Sequence, residues 1–102
     1  PTIAALGSQT ASSPGTAQFG ANLRDNATPN VGTDPSGSGS GTYTANYGTA
    51  DSYRFVTGDS VASAGGSTNA NAFTVSYLVN VPGSQAPGAY TATMTYIATA
   101  TF

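Results

Sequence analysis

Apolar and polar residues alternate most strictly over the last fourteen residues, Ala89 to Phe102. Even positions carry apolar or small residues and odd positions from Thr91 onward carry threonine, with Ile97 as the one break. A two-residue period puts one set of side chains on each face of a β-strand, so the pattern predicts a long terminal strand. At about 3.3 Å per residue it would reach roughly 40 Å, well beyond an ordinary strand. Such a strand either bends across two sheets or pairs outside its own domain.

A second alternating run predicts the clearest interior strand. Its two faces carry Phe73, Val75, Tyr77, Val79 and Val81 on one side and Thr74, Ser76, Leu78 and Asn80 on the other. Pro82 to Gly88 predicts the turn that leads into the terminal strand, because proline cannot donate a ladder hydrogen bond. Weaker alternation predicts further strands over residues 16–23, 42–47 and 52–57, whereas residues 25–41, rich in Gly, Ser and Pro, predict a long surface loop.

About six to eight short strands with Gly and Pro turns, and no helical periodicity, are typical of a sandwich or a barrel. We therefore predict an all-β fold, an immunoglobulin-like antiparallel β-sandwich with Greek-key connections. The 102 residues correspond to one domain. We assign residues 1–13 to an N-terminal arm or first strand, which is a candidate donor strand, and residues 14–102 to the sandwich.

Charge is scarce, and this changes the expected surface. Only 6% of the residues are charged, the net charge is −2, and Lys, Glu, His, Cys and Trp are absent. Soluble intracellular domains carry about 25% charged residues, so this composition suits a protein that associates or lies outside a cell. Two arginines do not form the basic patch that nucleic acid requires. No apolar run approaches the roughly 20 residues of a membrane helix, and the start at Pro1 indicates a processed chain.

The missing residue types also exclude most catalysis. Without His there is no imidazole base or Ser-His-Asp triad, and without Cys or Lys there is no thiolate or Schiff-base chemistry. We predict no enzyme and no cofactor, with calcium as the one candidate metal because it takes carboxylate and carbonyl oxygens. The candidate ligands, which otherwise cap turns, are Asp25, Asp34, Asp51 and Asp59.

Aromatic residues offer the other candidate chemistry. Arg54 lies between Tyr53 and Phe55 and is expected to stack on a ring or to pair with an acid such as Asp51. The six tyrosines allow a sugar-binding platform, although tyrosines on alternating faces are more often core or cross-strand pairs.

Residues 79–96, Val-Asn-Val-Pro-Gly-Ser-Gln-Ala-Pro-Gly-Ala-Tyr-Thr-Ala-Thr-Met-Thr-Tyr, resemble the closing hairpin of bacterial extracellular immunoglobulin-like surface proteins. They are most similar to spore-coat-U-type pilin domains. The positions that match that pattern are Gly88, Tyr90, Thr93, Thr95 and Phe102. In such pilins an N-terminal extension of one subunit completes the sandwich of its neighbour. The resemblance implies that residues 2–10 are the donor segment here.

These observations favour an extracellular or cell-surface structural subunit that binds copies of itself in a pilus-like filament or surface array. Unpaired strand edges can be satisfied by strand addition between subunits. The alternatives are a monomeric adhesin or carbohydrate-binding module that binds surface glycans, and a viral or phage structural domain. The residues expected to carry assembly are Ile3, Leu6, Tyr90, Met94, Tyr96 and Phe102.

Overall fold

The fold was taken from a computed structural model, which describes residues 2–99. The longest ladder joins β1 (Gln18–Asn22) and β8 (Ser76–Asn80) in antiparallel register, with Gly20 opposite Leu78. Three shorter antiparallel pairs join β2 (Asn26–Ala27) to β3 (Asn30–Val31), β4 (Ser36–Gly37) to β7 (Asn71–Ala72), and β5 (Thr42–Tyr43) to β6 (Ala62–Ser63). One turn of 3₁₀ helix covers Ala45–Tyr47. The predicted all-β class is confirmed for the described chain.

The core is small and lies between the β1–β8 ladder and residues 47–54. Ala21 and Arg54 exchange both backbone hydrogen bonds (2.9 and 3.0 Å), and Leu23 N–H donates to Tyr47 O (3.0 Å). The buried apolar side chains are Ala21, Leu23, Tyr47, Tyr53 and Leu78. Because so few large side chains are buried, we expect a free energy of unfolding near the low end of the usual range for small domains.

The predicted long loop over residues 25–41 is wrong in part, because this stretch holds β2, β3 and β4. Side-chain amides replace part of the missing ladder. Asn71 Oδ1 accepts the Gly41 N–H (2.8 Å), and Asn71 Nδ2 donates to Ser36 O and Gly39 O (3.3 Å each). A Cβ at Gly37 would lie 2.5 Å from Ala70 O, so the Gly-rich run allows a backbone approach that larger residues would block.

The predicted terminal strand is not formed over residues 89–99, and residues 100–102 lie outside the described residues. The preceding turn is present, with Gln85 N–H donating to Pro82 O (3.0 Å). Within residues 2–99, however, no backbone–backbone hydrogen bond reaches residues 89–99. Alternation determines which side chains share a face, but a strand also requires a neighbouring backbone, which this single copy does not provide.

Two other predicted strands are shorter than expected. The run over residues 42–47 keeps only β5 before the 3₁₀ turn, and residues 52–57 keep only isolated bridges at Tyr53 and Arg54. The 3₁₀ turn is favoured by a hydrogen bond from Tyr47 N–H to Thr44 O (3.1 Å). None of the helical structure in residues 2–99 is long and apolar enough to span a membrane.

Candidate assembly surface

The two faces of the β1–β8 ladder are buried in an unexpected way. The face that carries Gly20, Asn22 and Leu78 is buried. The opposite face, which we call the apolar face, carries Phe19, Ala21, Tyr77 and Val79. Tyr77 remains 40% exposed and Val79 54% exposed. The more apolar side of β8 therefore faces outward in a single copy.

The amide side chains of the buried face are hydrogen-bonded, whereas the buried Ser76 Oγ has no partner within residues 2–99. Asn22 and Asn26 are fully buried and exchange two amide hydrogen bonds, Asn22 Nδ2 to Asn26 Oδ1 (2.6 Å) and Asn26 Nδ2 to Asn22 Oδ1 (2.9 Å). Asn80 Nδ2 donates to the buried Gln18 Oε1 (2.7 Å). Buried amides with partners avoid the penalty of an unmade hydrogen bond. These contacts fix the orientation of the ladder, so that its apolar face points toward solvent.

Residues 2–10, which we call the arm, close the second edge of β1 within the same chain. Leu6 N–H donates to Phe19 O (2.8 Å), Phe19 N–H donates to Ala4 O (3.1 Å), and Thr10 and Tyr53 exchange two bonds of 2.9 Å. Arg54 Nη1 also donates to Gly7 O (2.8 Å). The predicted assembly residues Ile3 and Leu6 are both half-buried in this position.

Gly20 allows the arm to approach so closely. A Cβ at this position would lie 2.9 Å from Tyr53 Cβ, 3.0 Å from Arg54 N and 3.2 Å from Leu6 Cδ1. The first two atoms belong to a segment that is itself paired with β1, so neither can move aside easily. The groove that holds the arm therefore depends on the missing side chain of Gly20.

Residues 89–99, which we call the terminal segment, lie across the apolar face without pairing to it. They line an open cavity of about 640 Å³, whose lining includes Ile3, Phe19, Tyr77, Val79, Tyr90 and Met94. A second cavity of about 800 Å³ adjoins Met94 and is also lined by Leu23, Phe55, Tyr96 and Ile97. Three predicted assembly residues thus meet around the first cavity and a fourth lies at the second. Phe102 lies outside the described residues.

Aromatic contacts connect the ladder with Phe55 and with the terminal segment. Phe19 stacks on Tyr77 with ring centroids 6.4 Å apart and packs against Phe55 at 5.2 Å. The Tyr77 hydroxyl contacts the Tyr96 hydroxyl. Burial of the Tyr96 hydroxyl, together with this contact, raises the pKa of Tyr96 to about 12, although 55% of the residue is exposed. No backbone–backbone hydrogen bond within residues 2–99 accompanies this side-chain contact.

The second edge of β8 is open among the described residues. Its first edge pairs with β1, and no bridge or backbone hydrogen bond within residues 2–99 joins its other edge. Exposed apolar side chains lie on both of these segments: Tyr77, Val79 and Val81 on β8 and the residue after it, and Tyr90, Tyr96 and Ile97 on the terminal segment.

The four aspartates are separate and serve local contacts. Asp34 accepts from Arg24 Nε (2.8 Å) and from the Asp25 N–H (2.9 Å), and Asp51 caps the backbone N–H groups of residues 27 and 28. Asp59 accepts from Arg54 Nε (2.9 Å), so Arg54 pairs with Asp59 rather than with Asp51. No three acidic side chains come together in the described part of the chain. Calcium binding therefore remains a prediction for which no carboxylate cluster is formed.

Two of these carboxyl groups have shifted acidities. The Asp25 backbone N–H and the Arg24 guanidinium lower the pKa of Asp34. The Arg54 guanidinium and the Tyr47 hydroxyl lower the pKa of Asp59, and the latter bond is 2.6 Å long. Burial, followed by this bond to Asp59, raises the pKa of Tyr47. Arg54 thus links the arm to the core: it donates to Gly7 O and to Asp59, and Asp59 accepts from the Tyr47 hydroxyl.

Sequence reasoning missed several residues that shape this surface. Phe19, at the centre of the aromatic contacts, had a signal in its alternation with Ala21 and Leu23. Gly20 had none, since nothing in the sequence distinguishes a glycine under a crossing strand from a glycine in a turn. The buried Asn22–Asn26 pair had no signal either, since Asn22 falls in the predicted strand over residues 16–23 and Asn26 in the predicted loop over residues 25–41.

Comparisons of the chain with protein-family models, with curated proteins and with solved structures find no match. The similarity to spore-coat-U-type pilin domains therefore rests on residues 79–96 and Phe102 alone, and it stays a prediction.

Proposed function

We propose that this chain is an extracellular structural subunit that self-assembles into a filament or surface array. The observation that carries the proposal is the apolar face of the β1–β8 ladder. Its side chains Tyr77 and Val79 remain about half exposed in a single copy. Contiguous exposed apolar surface on a soluble domain marks an interaction site. A second copy would remove this surface from water at no cost in buried charge.

The distribution of charge supports association between copies. All six charged residues lie between Arg24 and Asp59, and none occurs from residue 60 to residue 102. The apolar face and the terminal segment therefore have little like-charge repulsion to keep copies apart. The same lack of charge gives an acidic or basic partner no ion pairs on this surface.

We propose for the finer fold an immunoglobulin-like sandwich with Greek-key connections, which becomes complete on assembly. The four antiparallel pairs supply parts of such a sandwich. The terminal segment has the alternation of a strand and has no backbone partner within residues 2–99. The resemblance of residues 79–96 to spore-coat-U-type pilin domains supports this fold and an extracellular or cell-surface location.

The arm is a donor for strand exchange in this proposal. Its backbone bonds to β1 and Tyr53 would be remade, unchanged, if the arm of one copy entered the same groove of its neighbour. Exchange of an identical element between copies has a low thermodynamic cost, because every hydrogen bond that breaks within one chain forms again between two chains. Ile3 and Leu6 would then fill the neighbour's groove.

Deletion of residues 1–13 tests the donor role of the arm. We expect the shortened chain to form no polymers by negative-stain electron microscopy, and to bind a synthetic peptide of residues 2–10 when far-UV circular dichroism shows that it stays folded. Leu6→Asp should also prevent polymers, whereas Ala5→Asp, at an exposed neighbouring position, should not. Fibres that persist without residues 1–13 would contradict the donor role.

A glycan-binding adhesin is the second candidate, and one observation favours it. Tyr77, Tyr90 and Tyr96 are exposed around the apolar cavities, and aromatic rings with a polar edge suit sugars. A saturable change of tyrosine fluorescence on adding glycans, with the protein remaining monomeric, would favour this function over assembly.

A further inference from the structure

The β1–β8 sheet has two edges, and only one is closed. The arm and residue 54 occupy the second edge of β1. The second edge of β8 has no partner within residues 2–99. The same chain also contains eleven consecutive residues, 89–99, whose backbone forms no hydrogen bond to the backbone of the described residues. An unpaired edge and an unpaired strand-forming segment are the two halves of a strand-addition junction.

We propose that the open edge of β8 binds the terminal segment of a second copy as an added antiparallel strand. This inference rests on the proposed self-assembly and identifies the surfaces that meet. It adds a junction distinct from arm exchange, which takes place at the opposite edge of the sheet.

The register of the junction follows from side-chain parity. An antiparallel pairing that places Tyr96 opposite Tyr77 also places Met94 opposite Val79. Ala92 then lies opposite Val81. Directly opposed side chains lie about 4.5–5.5 Å apart at Cβ and stabilise the pairing when both are apolar. A shift by one residue would put threonines opposite the apolar face instead.

Charge and area support a copy of this chain as the partner. Neither β8 nor the terminal segment carries a charged residue, so a matching partner is an uncharged β-forming segment, which this chain supplies. The exposed apolar side chains of β8, Val81 and the terminal segment offer roughly 500 Å² of accessible surface, if a fully exposed aromatic side chain offers about 150–250 Å². Stable interfaces bury about 1,200–2,000 Å² in total, so a single junction is weak and assembly should depend on concentration.

The junction is also of the kind that makes filaments. Donor and acceptor are different surfaces of the subunit, so each copy can donate to one neighbour and accept from another. Such heterologous contacts continue indefinitely unless the rotation between copies closes a ring. Because a single junction is weak, we expect it to build open chains of subunits only together with arm exchange, rather than to close a dimer.

Engineered cysteines test the junction, because the natural chain has none. Val79→Cys protein is mixed with Met94→Cys protein that carries a mass tag, at concentrations where the wild type assembles, and the mixture is oxidised. The matched control mixes Val79→Cys with tagged Thr93→Cys, whose side chain falls on the other face of the added strand. We expect several-fold more tagged mixed dimer with Met94→Cys than with Thr93→Cys. Circular dichroism checks that each variant keeps the wild-type spectrum.

Three results would overturn the inference. Equal yields from the two mixtures, in protein that assembles, would refute the junction and leave the proposed self-assembly standing. A Val79→Cys/Met94→Cys chain that cross-links only within itself, at every concentration, would show that the terminal segment pairs with its own β8. Wild-type protein that stays monomeric throughout would refute both the inference and the proposed function.

Discussion

Replacing Asn26 with alanine should destabilise the fold strongly, although the residue lies in a stretch that reads as a polar loop. Its side chain donates to Asn22 Oδ1 (2.9 Å), Arg24 O (2.9 Å) and Val31 O (3.0 Å) and accepts from Asn22 Nδ2 (2.6 Å) and Asp51 N–H (2.8 Å). Both amides are fully buried. Asn26→Ala therefore removes the centre of a network rather than one contact.

The expected loss follows from the groups left behind. An unsatisfied buried polar group costs about 1–3 kcal/mol, and here the buried Asn22 amide loses two of its bonds while three backbone groups nearer the surface lose one each. Water can reach some of those backbone groups, so we expect a loss of about 3–4 kcal/mol in the free energy of unfolding. A small domain has about 5–15 kcal/mol in total, so the variant should be close to unfolding.

Urea denaturation followed by circular dichroism measures this loss. With a slope of about 1–3 kcal/mol per molar, the midpoint should fall by roughly 2 M. Asn30→Ala is the matched control, because Asn30 lies in the same β2–β3 pair but is exposed, and it should change stability by less than about 0.5 kcal/mol. If Asn26→Ala were no less stable than Asn30→Ala, the buried amide network would be refuted.

Two further predictions concern pH and the groove of the arm. The pKa values of Asp34 and Asp59 are lower in the folded chain than in the unfolded chain, so their stabilisation is present above the ordinary carboxyl pKa of about 3.9 and is lost as the pH falls below it. Because the chain has no His or Cys, the melting temperature should be constant between about pH 5 and 8 and should fall in acid. Asp59→Asn should make that fall smaller. A steep change of the melting temperature near neutral pH would contradict this account. Gly20→Ala should cost about 1–3 kcal/mol and speed amide exchange at Leu6, because the added Cβ overlaps the segment that crosses β1. Gly65→Ala, in open space, should do neither, and equal effects of the two would refute the close packing at Gly20.

The sequence predicts the fold class and the location of β1 and β8, because alternation reports directly on residues that share a face. It predicts less well which face is buried. The run over residues 73–81 has an obvious apolar side, yet the structure buries the side of Ser76 and Leu78. Hydrogen bonds to buried amides contribute to this, and some of the partners are distant in the sequence: Asn22 Nδ2 donates to Ser52 O (3.0 Å).

The terminal segment shows a different limit of the same pattern. Its alternation is the strictest in the chain, yet residues 89–99 form no ladder in a single copy. Strand formation depends on a partner backbone, and a pattern within one segment carries no information about that partner. The assembly residues Ile3, Tyr90 and Met94 do meet at one cavity, because their positions follow from which face each segment presents.

Negative-stain electron microscopy of the untreated protein, paired with size-exclusion chromatography, tests the central claim most directly. We predict that raising the concentration yields regular fibres or sheets and shifts the chromatographic peak to larger species. A sharp peak at the monomer mass of 10.0 kDa at every concentration, with no regular assemblies on the grid, would contradict self-assembly and favour a monomeric binding module.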